Sequence, residues 1–386
     1  MGIFSTKKPK AKIGLILSGG GARAAYQVGV LRAIAELYPQ SSPTPFKVIS
    51  GTSAGSINAV ALAGHNGTFC ESVQRIVDVW SNFELHYVFK SDVACLSARI
   101  LKWLSSTLLP FGLGGKPPPS LLDNTPLRDL LNSNIDFDHI QDAIDAGHLD
   151  ALCVNASSYS SGQSTSFFQA KQSIPEWSRA FRAGVRKDIT IDTLMASSAI
   201  PIIFPSVHID EDYYGDGSMR QNTPISPALH LGAEKILVIG VRPKSVHSTK
   251  PSHSNPSLSQ IFGFIMDTLF LNSMDSDVER MERINDLNSA IPAKNRQFRN
   301  IEHLNISPSE DIAQIAEDLF ETFPTAFRIA LKFLGMHKGN SRRLVSYLMF
   351  NKPFCTKLID LGYADAMRRK RELKFFLEID EPVQQD

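Results

Sequence analysis

The chain is short of the features that would place it in several common classes. Its 386 residues hold four cysteines, Cys70, Cys95, Cys153 and Cys355, far apart and with no C-x-x-C pair. That spacing argues against both a disulfide framework and a zinc site, and a reducing, cytoplasmic setting is the simpler expectation. No charge of one sign dominates. Forty Lys and Arg against 39 Asp and Glu leave a net +1, so the whole chain offers no electrostatic case for a nucleic-acid partner. No apolar run reaches the roughly 18 residues of a membrane span. The basic N-terminus lacks the apolar stretch of a secretory signal, because Ile13–Leu17 is too short and runs into glycines. What remains is an ordinary globular composition, 43% hydrophobic and 20% charged, in a chain long enough for a large core.

The most informative stretch is Val48–Ala59, VISGTSAGSINA. An apolar run ends in Gly51-Thr52-Ser53-Ala54-Gly55 and passes directly into a helix-forming run. This is G-x-S-x-G between a strand and a helix, the setting of a nucleophile elbow. Such a turn folds the backbone tightly and tolerates only small neighbours, which Gly51 and Gly55 supply. Ser53 is therefore the candidate nucleophile.

A second glycine-rich loop lies upstream. Lys12–Leu17 reads as a buried strand, Ser18-Gly19-Gly20-Gly21-Ala22-Arg23 follows, and Ala24–Leu37 reads as a helix. A P-loop is rejected, because G-x-x-x-x-G-K-[ST] is not present. The sequence GGGARA satisfies G-x-G-x-x-A, but a dinucleotide site wants an acid at the end of the second strand. That strand, Phe46–Ser50, ends in Ser-Gly. The favoured reading is an oxyanion hole beside the elbow, its backbone N–H groups facing developing negative charge; tight packing is the bland alternative. Arg23 either holds an anionic headgroup or fixes the loop by bonding carbonyls.

Further along, helices are expected over 56–63, 69–83, much of 85–109, the run starting at Asp123–Pro126, 136–146, 191–200 and 222–231. Strands are expected over 152–157, 164–169 and 235–241. The Gly/Pro stretch 110–119 is a surface loop or a lid hinge. Residues 244–259 form a polar linker, and 260–286 a long amphipathic helix suited to core packing or a lipid surface. Residues 301–386 read as helical, with the basic run Arg368–Arg371 on a solvated face. Residues 1–11 form a flexible basic tail; Gly2 with Thr6 also fits an acylation pattern. Asp216, flanked by Gly215 and Gly217, can approach another backbone closely, although such turns are often inert. With ten histidines, counting cannot exclude a Ser-His-Asp triad.

The motifs GGGARA, GTSAG, ASSAIP and DGS stand in the order and setting of the patatin-like phospholipase family, over about Lys12–Val241. The sequence resembles that family, in a bacterial form with an extra C-terminal helical segment. The resemblance implies an α/β three-layer sandwich with a mostly parallel central sheet, residues 12–243 as the catalytic domain and 260–386 packed on it. It implies Ser53 as nucleophile and Asp216 as its direct base. Gly19, Gly20 and Gly21 would supply the oxyanion hole, with Arg23, Gly51, Gly55 and Gly217 in support. Neither metal nor other cofactor is implied. The expected function is a lipid acyl hydrolase on phospholipid or lysophospholipid, with peripheral membrane contact. The alternatives are an acyltransferase on the same dyad, or a silent membrane-binding scaffold. Ala24 departs from the family's usual glycine and puts the exact loop shape in question.

Overall fold

The computed structural model describes residues 11–90, 120–221, 224–243, 274–296, 299–333 and 341–379, with 255, 261 and 264 as isolated positions. The expectations for the basic tail, for 91–119 with its hinge loop, for nearly all of the linker and for most of 256–273 lie outside the described residues.

The first half alternates strand and helix. β1 (Ile13–Leu17) leads through a 3-10 turn (Gly21–Ala24) to α1 (Ala25–Leu37), and β2 (Val48–Thr52) to α2 (Ala54–Ala63) and α3 (Phe69–Ser81). After α4 (Thr125–Asn134) and α5 (Asp138–Asp145) come β3 (Ala151–Ser158), β4 (Ser164–Ala170), β5 (Trp177–Arg179) and β6 (Arg182–Arg186). Then follow α6 (Ile191–Ser197), β7 (Val207–Ile209), β8 (Asp212–Asp216), α7 (Ile225–His230) and β9 (Lys235–Ile239). The C-terminal part holds α8 (Met274–Ala290), β10 (Glu302–Ile306), α9 (Ile312–Asp318), α10 (Thr325–Phe333), α11 (Ser341–Leu348), α12 (Lys352–Arg368) and α13 (Lys370–Phe376).

Among the described residues ten strands form one sheet in the order β10-β9-β1-β2-β3-β4-β6-β5, with β8 on β3 and β7 on β8. The five strands from β10 to β3 are mutually parallel. That geometry buries both faces of the inner strands, which is why β1 and β9 read as nearly continuous apolar runs; β10, at the edge, does not. Alternation still sorts the side chains. Leu15, Leu17, Ile49, Leu237 and Ile239 face the larger core under α1, α2, α3 and α12, while Ile16, Val48, Ile236 and Val238 face the smaller one under α7 and α8. Helices thus cover both faces of a mostly parallel sheet, a three-layer α/β fold.

Local chemistry sets several element ends. α3 opens on a capping box: the Glu71 N–H donates to Thr68 Oγ1, and the Thr68 N–H donates to Glu71 Oε2. Strand β10 corrects the reading of 301–386 as helical. In its run EHLNI buried Leu304 and Ile306 alternate with half-buried His303 and Asn305, and the strand pairs in parallel with β9. The period of two is only five residues long, and the surrounding helical periodicity masks it. Strands β5 and β6 were likewise not expected; the segment holds three arginines among short apolar residues. The basic run at 368–371 is partly engaged, since Arg369 bonds the Asn305 carbonyl and Glu372, and Arg368 bonds Asp365. Among the described residues no helix is long and apolar enough to cross a membrane.

Helix α12 packs across α1 at very short range. A Cβ built on Gly29 would lie 1.9 Å from the Ile359 carbonyl oxygen, and one on Gly362 would lie 2.1 Å from that of Tyr26. Glycine here lets two backbones touch. Gly→Ala inside a helix ordinarily stabilises by about 0.8–1 kcal/mol. At Gly29 the collision reverses the sign: Gly29→Ala should cost about 1–3 kcal/mol, read as a lower urea midpoint at unchanged m. A midpoint equal to or above the parent's would show that the two helices are not in this contact.

Candidate active site

Strand β2 ends at Thr52, α2 begins at Ala54, and Ser53 makes the turn between them with φ 53° and ψ −130°. A non-glycine residue in that region carries strain of about 1–3 kcal/mol and is held only by its surroundings. Those surroundings are specific. The Ser53 N–H donates to Ser197 Oγ at 2.9 Å, and Ser197 Oγ donates in turn to the Asn155 carbonyl at 2.6 Å. Ser56 Oγ donates to the Ser53 carbonyl at 2.6 Å. Both flanking glycines are required by space. A Cβ on Gly51 would lie 2.5 Å from Ser56 Cα, and one on Gly55 would lie 2.4 Å from the Leu17 carbonyl oxygen.

Asp216 arrives on the same edge of β3 as the elbow, one position past the end of β2. Strand β8 runs antiparallel to the end of β3, pairing Asp216 with Ala156. Its N–H donates to the Ala199 carbonyl at 2.9 Å, and its carbonyl accepts from Ser157 Oγ at 2.9 Å. Gly217 then presses on β3, for a Cβ there would lie 2.2 Å from the Asn155 carbonyl oxygen. The result is direct contact: Ser53 Oγ donates to Asp216 Oδ2 at 2.6 Å. The Ser218 N–H donates to Oδ1 at 2.8 Å. Asp216 is fully buried and Ser53 is 2% exposed. Burial pushes the Asp216 carboxyl up to about 6, against the opposing pull of the hydrogen bonds from Ser53 and Ser218. His208 packs on the Tyr213 ring and His230 stacks on Trp177; neither stands between Ser53 and Asp216.

The glycine loop lies beside them. Gly21 has φ 54°, a conformation that favours glycine. Among the described residues the N–H groups of Gly19, Gly20 and Gly21 have no backbone acceptor. A buried polar chain anchors the loop. Trp80 Nε1 donates to Asn58 Oδ1 at 2.8 Å, Asn58 Nδ2 to Gln27 Oε1 at 3.0 Å, and Gln27 Nε2 to the Ser18 carbonyl at 2.8 Å. Ala24 sits at φ −64°, an ordinary helical conformation, so its methyl group adds no backbone strain. Arg23 is 2% exposed. Its Nε donates to Ser346 Oγ at 2.7 Å, and its guanidinium carbon lies 4.1 Å from the Tyr347 ring centroid. It is turned into the C-terminal segment.

An apolar slot opens over Ser53 and Gly21, walled by α2, α3 and α4, by Ser198 and Ile200 of the ASSAIP segment, and by Phe350. Several of these residues escaped the sequence reading. Ser197 lies inside a motif already singled out, and Asn155 is a polar residue inside an apolar strand, a signal that was available. The contacts of Ser346, Tyr347 and Phe350 left no trace in the sequence. Among the described residues no group of three or more His, Cys, Asp or Glu is gathered as a metal would need.

Residues 15–229 match the family model described as patatin-like phospholipase. A cGAMP-activated phospholipase of Pseudomonas aeruginosa (strain BWHPSA011 / Pa011) is 27% identical over 218 residues, which are 56% of this chain. The chain spans only about half of that relative, 55% of its length. Among solved structures, VipD from Legionella pneumophila matches at TM-score 0.35 and 12% identity over 96% of this chain and 67% of that one. The type III effector ExoU matches at TM-score 0.30 and 13% identity, over 94% and 62%. The fold class stands on the chain's own sheet order.

The raised Asp216 carboxyl has a consequence for stability. Unfolding returns it to its ordinary value near 3.8, so between the two values the folded chain holds the proton more tightly. Stability therefore falls as pH rises through this window and stays reduced above about 6. Asp216→Asn removes that loss. The variant should exceed the parent by up to about 3 kcal/mol at pH 8, with the difference gone near pH 4, measured by urea unfolding. A variant less stable than the parent at pH 8 would contradict the burial argument.

Proposed function

The chain belongs to the patatin-like phospholipase family, and we propose that it cleaves carboxylic esters of lipids with Ser53 as nucleophile and Asp216 as its only base. One observation carries this: the 2.6 Å contact between Ser53 Oγ and a fully buried carboxylate. A serine hydroxyl is a weak nucleophile until a base takes its proton. A water-exposed aspartate is too weak a base for that, but one lifted to about 6 is matched to neutral pH and remains largely ionised there.

The reaction then has two halves. Asp216 Oδ2 accepts the Ser53 proton as Oγ bonds to the ester carbonyl carbon. The carbonyl oxygen, now negative, faces the N–H groups of Gly19, Gly20 and Gly21. Each such donor is worth about 10²–10³ in rate. The bond to the leaving alcohol breaks, the alcohol takes the proton from Asp216, and an acyl-serine remains. Water enters, gives a proton to Asp216 and attacks the same carbon. Collapse frees the fatty acid and returns the proton to Ser53. Positive φ at Ser53 presents the hydroxyl above the turn, and the fixed amides need no reorganisation as charge develops. Phospholipid or lysophospholipid is the proposed substrate, met at a membrane surface.

Ser53→Ala should abolish ester turnover and labelling by a fluorophosphonate, and Asp216→Asn should lower kcat by about 10²–10⁴. With the parent, kcat/KM should rise with pH through about 6 and then level off, because the base works only when ionised. Full turnover in either variant would end the dyad reading. Labelled Ser53 with acyl transfer to an added alcohol in place of hydrolysis would redirect it to an acyltransferase.

A further inference from the structure

The slot over Ser53 has a direction and a length. It follows one face of α2: Ala54, Ile57 and Ala61 line it, and His65 lines it just beyond the helix end. Those positions are spaced as neighbours along a single stripe. At 1.5 Å per residue, Ala54 to His65 covers about 16 Å. Ile76 and Val79 of α3 face this stripe, with Leu127 and Leu131 of α4, and Phe350 closes the side near Phe83. The polar groups inside the walls are already engaged. The Asn58 amide bonds Ala24, Gln27 and Trp80, so the middle of the slot offers nothing to water. Polar groups return at the far end, where Arg75, Asn134 and His65 border it and Arg75 is exposed. The slot is also thin, with a cavity volume of only ≈ 80 Å³.

We infer that α2 is a ruler for the acyl chain of the substrate, which lies as one straight hydrocarbon between Ser53 and the His65–Arg75 end. This rests on the reading of Ser53 as the acylated residue. An extended chain advances about 1.25 Å per carbon, the C–C bond projected on the chain axis. The slot therefore takes about twelve to fourteen carbons before the chain meets polar groups and solvent. Its width admits one chain, so the class it selects is a lipid ester presenting a single, unbranched, saturated acyl chain of that length. Each methylene up to that limit adds up to about fourfold to binding, and none beyond it does.

Ala61 gives the test. It stands seven residues past Ala54, about 10 Å along the helix, and its methyl group leaves the slot open. A phenylalanine there should stop the chain near the eighth carbon and spare short acyl groups. The measurement is kcat/KM on a series of lysophosphatidylcholines from C6 to C18 at fixed surface concentration, with p-nitrophenyl butyrate and fluorophosphonate labelling as controls. The parent should climb to C12–C14 and then level off. Ala61→Phe should break near C8, losing at least tenfold on C12, with butyrate turnover unchanged. Ala61→Val, a milder plug, should move the break the same way by less, which covers the case in which the phenylalanine variant does not fold. An unshifted chain-length profile in either variant, with butyrate turnover and labelling intact, would overturn the ruler alone. A parent that neither labels nor hydrolyses butyrate would overturn the hydrolase reading and the ruler with it.

Discussion

Everything near the centre of this molecule is arranged around one hydrogen bond, from the Ser53 hydroxyl to the buried carboxylate of Asp216. The two residues are 163 positions apart, and neither can be placed by local structure alone. Strand β3 does the placing. Asn155 Nδ2 donates to the Gly51 carbonyl at 2.8 Å on the elbow side. The Asn155 carbonyl accepts from Ser197 Oγ and lies against Gly217 on the acid side. One residue of a central strand thus ties both arms of the pair, and Ser166 Oγ fixes its amide from β4 at 2.7 Å. A fully satisfied buried network of this kind sets geometry more than it adds stability.

The burial of Asp216 is costly. An ionised carboxylate without water is unfavourable, and hydrogen bonds from Ser53 and Ser218 offset that in part. The strain at Ser53 adds to the cost. The surrounding core carries both. Leu15, Leu17, Ile49, Val154 and Leu237 are wholly buried beneath the site, and each such side chain contributes about 1.5–3 kcal/mol. Site and slot share one dry interior, so a carboxylate raised by desolvation and an apolar groove beside it are consequences of the same exclusion of water.

The family match ends at residue 229, yet the border of the site does not. The Tyr347 backbone covers Gly21 so closely that a Cβ there would lie 2.3 Å from its carbonyl oxygen. Arg23 is held by Ser346 and Tyr347, and Phe350 walls the slot. These contacts are held in place by α12, which is capped by Asn351 and locked on α1 through Gly29 and Gly362. The C-terminal region therefore bears on the glycine loop as well as on the outer surface of the fold.

Much of this was legible in residues alone. Gly51, Gly55 and the apolar run before them announce a strand-to-helix elbow, because only small residues fit that turn. Three consecutive glycines after a buried strand announce a loop of free amides. Buried strands show in the apolar runs of β1 and β9, while the parallel sheet they belong to was implied by the family resemblance. Local sterics and periodicity decide such features, and both are written in neighbouring residues. Strand β10 escaped because five alternating residues are too few to be heard among helices. Asp216 was named by resemblance, not by any local signal; the contact it makes with Ser53, what Arg23 bonds, and how long the slot runs were decided by the tertiary structure, because each depends on segments that only folding brings within a few ångströms.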